Sequence, residues 1–197
     1  MAPDSDKDLE SLRDRLIEAA LGILAQDGIE ALTLRSVARR AGVSHGAPAR
    51  HFRSLSDLRA EVAAVGYRLL SEAIEKSNAQ IPSDGGSSSC LADAGRAYVD
   101  SALANPGLFA LMFRTGDLDT ENESYSRDSG AAFKGLFEHV RVAQSAGWKS
   151  TDDPRLLAGA LWASVHGLAT LWAQGAYQNA NPDVSLEEAI VATLQLA

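Results

Sequence analysis

The sequence predicts an all-α fold, a small N-terminal bundle of three helices joined to a larger helical body, with about nine helices altogether. Three observations predict it. Apolar residues recur at steps of three and four along most of the chain, and proline is absent between Pro3 and Pro48 and again between Pro48 and Pro82. No alternating apolar and polar run is long enough to argue for a strand. With 197 residues, 46% of them hydrophobic, the chain can bury one sizeable core, or a small domain beside a larger one.

The elements follow in order. Residues 1–8 read as a disordered acidic tail. Leu9, Leu12, Leu16, Ala20 and Leu24 form one stripe closed by Asp27 and Gly28, which sets a first helix over 9–27. Thr33 caps a short second helix carrying Leu34, Val37, Ala38 and Ala41, and Gly42 ends it by tolerating a left-handed backbone. Ser44 is the natural N-cap of a third helix ending near Phe52. Pro48 falls in or just after its first turn, where a missing N–H costs little. From Ser54 a fourth helix carries Leu55, Leu58, Val62, Val65, Leu69 and Ala73 to about residue 79. The Gly/Ser-rich run "IPSDGGSSSC" (81–90) reads as a loop, and "TGDLDTENES" (115–124) as an acidic one. Further helices are expected near 91–104, 106–114, 124–146, 153–177 and 185–196, so a boundary near residue 54 divides a domain over 9–54 from one over 55–197.

Charge separates the same two parts. The chain carries a net −8, yet residues 33–59 hold Arg35, Arg39, Arg40, Arg50, Arg53 and Arg59 against Asp57 alone. A basic module on an acidic body points to a polyanionic partner for the module. Cys90 has no second cysteine with which to form a disulfide or a thiolate metal site, and the polar, acidic start lacks the basic and apolar pattern of a secretion signal; a cytoplasmic location is expected. Residues 156–180 carry no charged side chain and are long enough to cross a bilayer. Ser164, His166, Thr170, Gln174 and Gln178, with no basic flank, favour a helix buried in protein instead.

Two short helices joined by "AGVS", packed on a first helix and displaying arginines, are the ingredients of a helix-turn-helix, whose second helix enters the DNA major groove. On spacing alone, three surface helices with a solvated arginine face fit as well. The stretch "GIEALTLRSVARRAGVSHGAPARHF", preceded by "RDRLIEAALGILAQDG", resembles the DNA-binding domain of the TetR family of bacterial transcriptional repressors over about residues 12–62, without a gap. "WASVHGLATL" (162–171) resembles the Trp-His-Gly signature of one class of TetR-type regulatory domains.

The resemblance implies double-stranded operator DNA as a partner and assigns contacts position by position. Thr33 would bind phosphate and Arg35 would reach a base edge. Ser44 would open the recognition helix, with His45, Gly46 and Ala47 closest to the bases and Ala47 offering a surface for a thymine methyl. Arg50, His51 and Arg53 would act mainly on the DNA backbone, although His51 fits a capping or packing role equally well. The family usually has Tyr and Lys where this chain has Ala49 and Leu55. Losing both phosphate contacts predicts a complex that is more salt-labile than is usual for the family, though still sequence-specific.

For the body, the resemblance implies a homodimer formed through the last two helices, and a small-molecule effector. Gly159, Ala163 and Gly167 lie four apart on one helix, a strip that lets another helix approach closely, whether from a second subunit or from the same one. Phe109, Met112, Phe113, Phe133, Phe137, Trp162, His166 and Trp172 are candidates for an apolar pocket that would take a hydrophobic or aromatic ligand. His166 reads equally as a hydrogen-bonded core residue.

An enzyme is not expected. The four histidines show no metal-ligand spacing, phosphate-loop and nucleophile-elbow patterns are missing, and Ser164 and His166 point apart on a helix. No cofactor, metal or membrane partner is called for. The remaining rival is a helical ligand- or protein-binding dimer that has lost operator binding.

Overall fold

The structure is a computed structural model that describes residues 5–78 and 87–196, with side chains over 12–77 and 91–194. Among the described residues every regular element is helical. They are α1 (Ser5–Asp27), α2 (Leu34–Arg40), α3 (Leu55–Asn78), α4 (Ser87–Ala104), α5 (Pro106–Met112), α6 (Glu123–Ser145), α7 (Pro154–Ala173), α8 (Ala176–Ala180) and α9 (Leu186–Leu196). Three short 3₁₀ turns, at Ile29–Ala31, Pro48–Arg50 and Thr115–Asp117, complete the order.

The helices divide into two compact units. The first takes the described residues up to Gly66 together with Asn105–Asp128; the second takes Tyr67–Ala104 and the chain from Ser129 onward. Thus α5 and the acidic stretch after it fold with the N-terminal helices, far beyond the boundary expected near residue 54. The cause is close packing: a Cβ on Gly107 in α5 would stand 2.5 Å from the carbonyl oxygen of Leu24 in α1, an approach that only glycine permits. The core of this unit is built from Leu16, Leu32, Val37, Leu58, Val62 and Leu111, all sealed from solvent.

In the second unit, Leu91 of α4, Val140 and Ala143 of α6, and Leu157, Ala158 and Leu161 of α7 form one buried cluster, with Phe137, Trp148 and Leu194 packed at its edge. The α7 helix is started by Asp153, whose carboxylate accepts the Arg155 N–H at 2.8 Å. Ser185 and Glu188 close a reciprocal capping box at the start of α9, with side chain to backbone bonds of 2.9 and 3.2 Å.

Several expectations are corrected. The α1 helix begins at Ser5, so only residues 1–4 of the expected tail fall outside it, and those lie outside the described residues. Ser87–Cys90 of the expected Gly/Ser loop belong to α4, while 79–86 lie outside the described residues. The single helix expected over 153–177 stops at Gln174, because Gly175 turns left-handed (φ 72°) and restarts the chain as α8.

The largest correction is at Pro48. In place of an α-helix from Ser44 to Phe52 there is a single tight turn. The fourth residue after the cap is the one whose N–H would close the first α-turn on the Ser44 carbonyl, and proline has none. The Ala47 N–H takes that carbonyl instead, at 3.0 Å, in the tighter three-residue pattern. Regular α-type bonding returns only once, from Phe52 N–H to the Pro48 carbonyl at 2.9 Å.

Candidate DNA interface and regulatory site

The helix-turn-helix is fixed by caps at both ends of α2. The Thr33 hydroxyl oxygen accepts the Ser36 N–H and the Ser36 hydroxyl oxygen accepts the Thr33 N–H, each at 3.0 Å, which closes a capping box. At the other end Gly42 (φ 69°) lets two closing bonds form, Gly42 N–H to Arg39 and Val43 N–H to Ala38. The Arg15 guanidinium adds a bond to the Ala41 carbonyl at 2.9 Å. The turn is therefore held by backbone and capping bonds before any ligand arrives.

Beyond the turn, Ser44, His45, Gly46, Ala49 and Arg50 are exposed, whereas Ala47 (9% exposed) and Pro48 face the core. The expectation of a base contact from Ala47 is thereby corrected: the tight turn at Pro48 rotates its methyl inward. His51 is half-buried, with its ring tilted against Phe52, and its Nε2 is buried with no partner among the described residues. A phosphate contact through that nitrogen is closed off. The Thr33 hydroxyl oxygen accepts the Ser36 N–H while its hydrogen points to the Ser36 oxygen at 3.0 Å, so a phosphate could take that hydrogen without opening the capping box.

The six arginines of residues 33–59 sort into two kinds. Arg35, Arg39 and Arg50 are exposed and pair with no acceptor among the described residues. Arg40 donates to the Gln26 side chain at 2.9 Å and lies against Gly22. Arg59 is largely buried and reaches the Leu32 carbonyl at 3.5 Å and Asp117 at 3.9 Å. Arg53 pairs with Asp119 at 2.8 Å and with Asp57 at 3.5 Å. Outside this group, Arg13 bonds Glu61 at 2.6 Å and covers the Phe52 ring.

Sequence reasoning missed the center of this arrangement. Asp57 is buried at the first turn of α3 and accepts the Arg53 N–H and the Asn122 side-chain amide, each at 2.8 Å. Burial alone would raise its carboxyl; the bonds from Arg53 N–H, Asn122 and the Arg53 guanidinium outweigh it and hold the group below its ordinary value. Asn122 also donates to Glu61 at 2.9 Å, and its oxygen accepts the Tyr125 N–H at 3.0 Å, starting α6. One amide thus ties together the N-termini of α3 and α6. An Asn just ahead of "ESYS" was a readable cap signal; its partner 65 residues upstream was not.

The candidate pocket residues fall in both units. In the first, Met112 is buried, and Phe109 and Phe113 meet edge to face at 5.1 Å. In the second, Phe133 and Trp162 form an edge-to-face pair at 5.9 Å and are 43% and 39% exposed, a partly open aromatic wall. Trp172 stacks on Tyr177 at 5.3 Å, and Phe137 packs on the core cluster. His166 joins a residue the sequence did not single out: the Trp162 N–H donates to the Tyr98 oxygen at 3.3 Å, and Tyr98 and His166 Nδ1 are 2.9 Å apart. The arrangement that serves all three groups has the Tyr98 hydroxyl donate to a neutral imidazole. Burial fits this, pushing His166 below its ordinary value and Tyr98 above its own.

On α7, the opposite side from the core is open. Leu156 is 75% exposed, Ala163 and Leu171 are exposed, and a Cβ added at Gly159 or Gly167 would meet nothing within 4 Å. The small-residue strip is therefore not used for packing within the described chain.

A helix capped at both ends that displays Arg35 and Arg39, a glycine turn and a short segment that displays Arg50 define a DNA-binding regulator of the helix-turn-helix class. Residues 16–62 match the bacterial regulatory proteins of the tetR family, and 91–193, just over half of the chain, match the tetracyclin repressor-like C-terminal domain. The chain belongs to the TetR family. Among its relatives, the uncharacterized HTH-type transcriptional regulator YobS of Bacillus subtilis (strain 168) is 28% identical over 164 residues, 83% of this chain and 80% of that protein. The HTH-type transcriptional regulator AcrR of Shigella flexneri is 29% identical over 84 residues, which span 43% of this chain and 39% of AcrR. A protein of unknown function from Rhodococcus sp. RHA1 superimposes with a TM-score of 0.80 at 31% identity, covering 94% of this chain and 92% of that one. The fatty acid degradation regulator FadR from Bacillus halodurans shares the fold alone (TM-score 0.71, 16% identity, 93% of each chain).

Proposed function

We propose that this protein is a homodimeric, cytoplasmic repressor that binds an operator sequence-specifically and is released by a small hydrophobic or aromatic ligand. The observation that carries the reading is the doubly capped α2 and its turn, which present Arg35, His45 and Arg50 to solvent with no partner among the described residues. In this reading Arg35 and His45 read base edges, Gly46 permits close approach, and Ser44 and Arg50 hold phosphates, with Thr33, His51 and Arg53 near the DNA backbone.

The open α7 strip supports dimerisation through α7 and α9, where Val191 adds further exposed apolar surface. The Phe133–Trp162 wall, with the Tyr98–His166 pair behind it, supports effector binding by an aromatic or hydrophobic molecule. Two helices, α3 and α6, each contribute to both compact units, so a ligand-driven shift of either can alter the spacing of the two recognition segments. These must meet half-sites about 34 Å apart or a multiple of it. A coupling of about 1–3 kcal/mol gives a five- to 150-fold switch.

Selection of binding sites from random duplex DNA at moderate salt tests the reading, with R35A as the control. The expected result is an enriched palindrome that the variant fails to enrich. No enrichment by the wild-type protein would replace the reading with a ligand- or protein-binding dimer that has lost operator binding.

A further inference from the structure

The acidic stretch between α5 and α6 lies more than fifty residues beyond the helix-turn-helix in sequence, yet it folds into the same compact unit. Asp119 is held there by three bonds. Its N–H donates to the Ser56 carbonyl at 3.1 Å, one carboxylate oxygen accepts the Glu121 N–H at 3.2 Å, and the other accepts Arg53 at 2.8 Å. Asp57 also accepts from the same guanidinium nitrogen, at 3.5 Å. Arg53 leaves the recognition segment between two carboxylates, with 71% of its side chain still open to solvent.

We propose that Asp119 is a built-in competitor for the DNA backbone, occupying Arg53 in the free protein so that DNA binding exchanges this carboxylate for a phosphate. The inference rests on the DNA-binding reading and adds to it a residue from outside the helix-turn-helix. Exchange, not sharing, follows from charge: one guanidinium between two carboxylates carries a net −1, and a phosphate brought to the intact cluster meets repulsion. With Asp119 withdrawn, the outer face of the guanidinium is free and Asp57 still anchors its backbone N–H. The stretch cannot drift independently, because Asn122, three residues on, bonds both Asp57 and Glu61 and starts α6. Displacement of the first turn of α6 therefore changes how firmly Asp119 holds Arg53. That gives an effector a lever on one phosphate contact.

Asp119→Asn tests this, since it removes the charge while leaving the backbone bond to Ser56 and an oxygen for the Glu121 N–H. Fluorescence anisotropy on a duplex of arbitrary sequence should show about two- to fivefold tighter binding than wild type at low salt, the scale of an exposed ion pair. The gain should shrink as salt rises, because the carboxylate–guanidinium pair that competes with the phosphate in the wild type is itself screened. In an Arg53→Gln background the gain should vanish. An equal gain in that background would mean a general charge effect and would overturn the proposal, as would no gain at all. Asp119→Ser, smaller and also neutral, repeats the measurement should the first variant melt below the wild type. Elution from immobilised heparin gives the same test without base pairs: later elution of D119N, abolished by R53Q, is expected. Wild-type protein that enriches no operator while the heparin shift appears would overturn the regulator reading and leave the competitor standing; unchanged elution would overturn the competitor.

Discussion

In the first unit three polar side chains, Asp57, Asn122 and Asp128, are buried and hydrogen-bonded, and the acidic stretch from a distant part of the chain pairs with Arg53 and Arg59. In the second unit the buried side chains among those described are apolar apart from tyrosine hydroxyls, that of Tyr98 bonding Trp162 and His166, and the side of α7 away from the core is left open. The difference teaches where each unit gets its geometry. Polar bonds with fixed directions orient the first internally, which suits a surface that must match a rigid duplex. The second leaves part of its apolar surface exposed among the described residues, the surface on which the proposed dimer contact rests.

That contrast can be broken most decisively on α7. If α7 forms the proposed dimer contact, Ala163→Glu should place a charge on each side of it and cost about 3–5 kcal/mol of association, the scale of an unpaired buried charge. Sedimentation equilibrium should then report a monomer with unchanged helicity, since Ala163 is exposed in the single chain. A dimer that survives would remove α7 from the interface. A smaller effect is expected in the first unit, where Gly107→Ala puts a methyl 2.5 Å from the Leu24 carbonyl oxygen. Overpacking of about 1–3 kcal/mol should appear as a lower urea midpoint; an unchanged midpoint would show that α5 is not docked tightly.

The smallest effect concerns pH. The Asp57 carboxyl is held below its ordinary value in the folded state, so its contribution is fully present above the unfolded value of about 3.9 and is lost as pH falls through the lower, folded one. Acid titration of the wild type should show this loss. Asp57→Asn should be less stable at neutral pH and show a flatter acid limb, and an identical limb would deny Asp57 its part in the network.

Local features of the sequence were legible because their causes are local. The α1 stripe is readable from residues four apart: Leu16, Ala20 and Leu24 are all buried. Thr33 and Gly42 act within a few residues of themselves. Pro48 was misjudged because its tolerance in a first turn depends on position counted from Ser44, and one residue decides whether the missing N–H matters. The sixfold arginine excess looked uniform in sequence, while Arg40, Arg53 and Arg59 are each held by partners at least one element away or by an acidic stretch far along the chain. Tyr98 gave no local signal of its bond to His166, 68 residues later. The end of α7 just before Gly175 was hidden by the uncharged run that continues past it to residue 180.

The tight turn at Pro48 also bears on information. With Ala47 and Pro48 facing inward, Ser44, His45, Gly46, Ala49 and Arg50 remain outward in the reading segment, with Arg35 in the same unit. So few letters make a short word, and a short word occurs often by chance in any genome. In the proposed dimer, an address built from it becomes rare only when two copies must appear at a set interval and in opposite orientation, so the spacing between half-sites would carry as much of the message as the bases themselves.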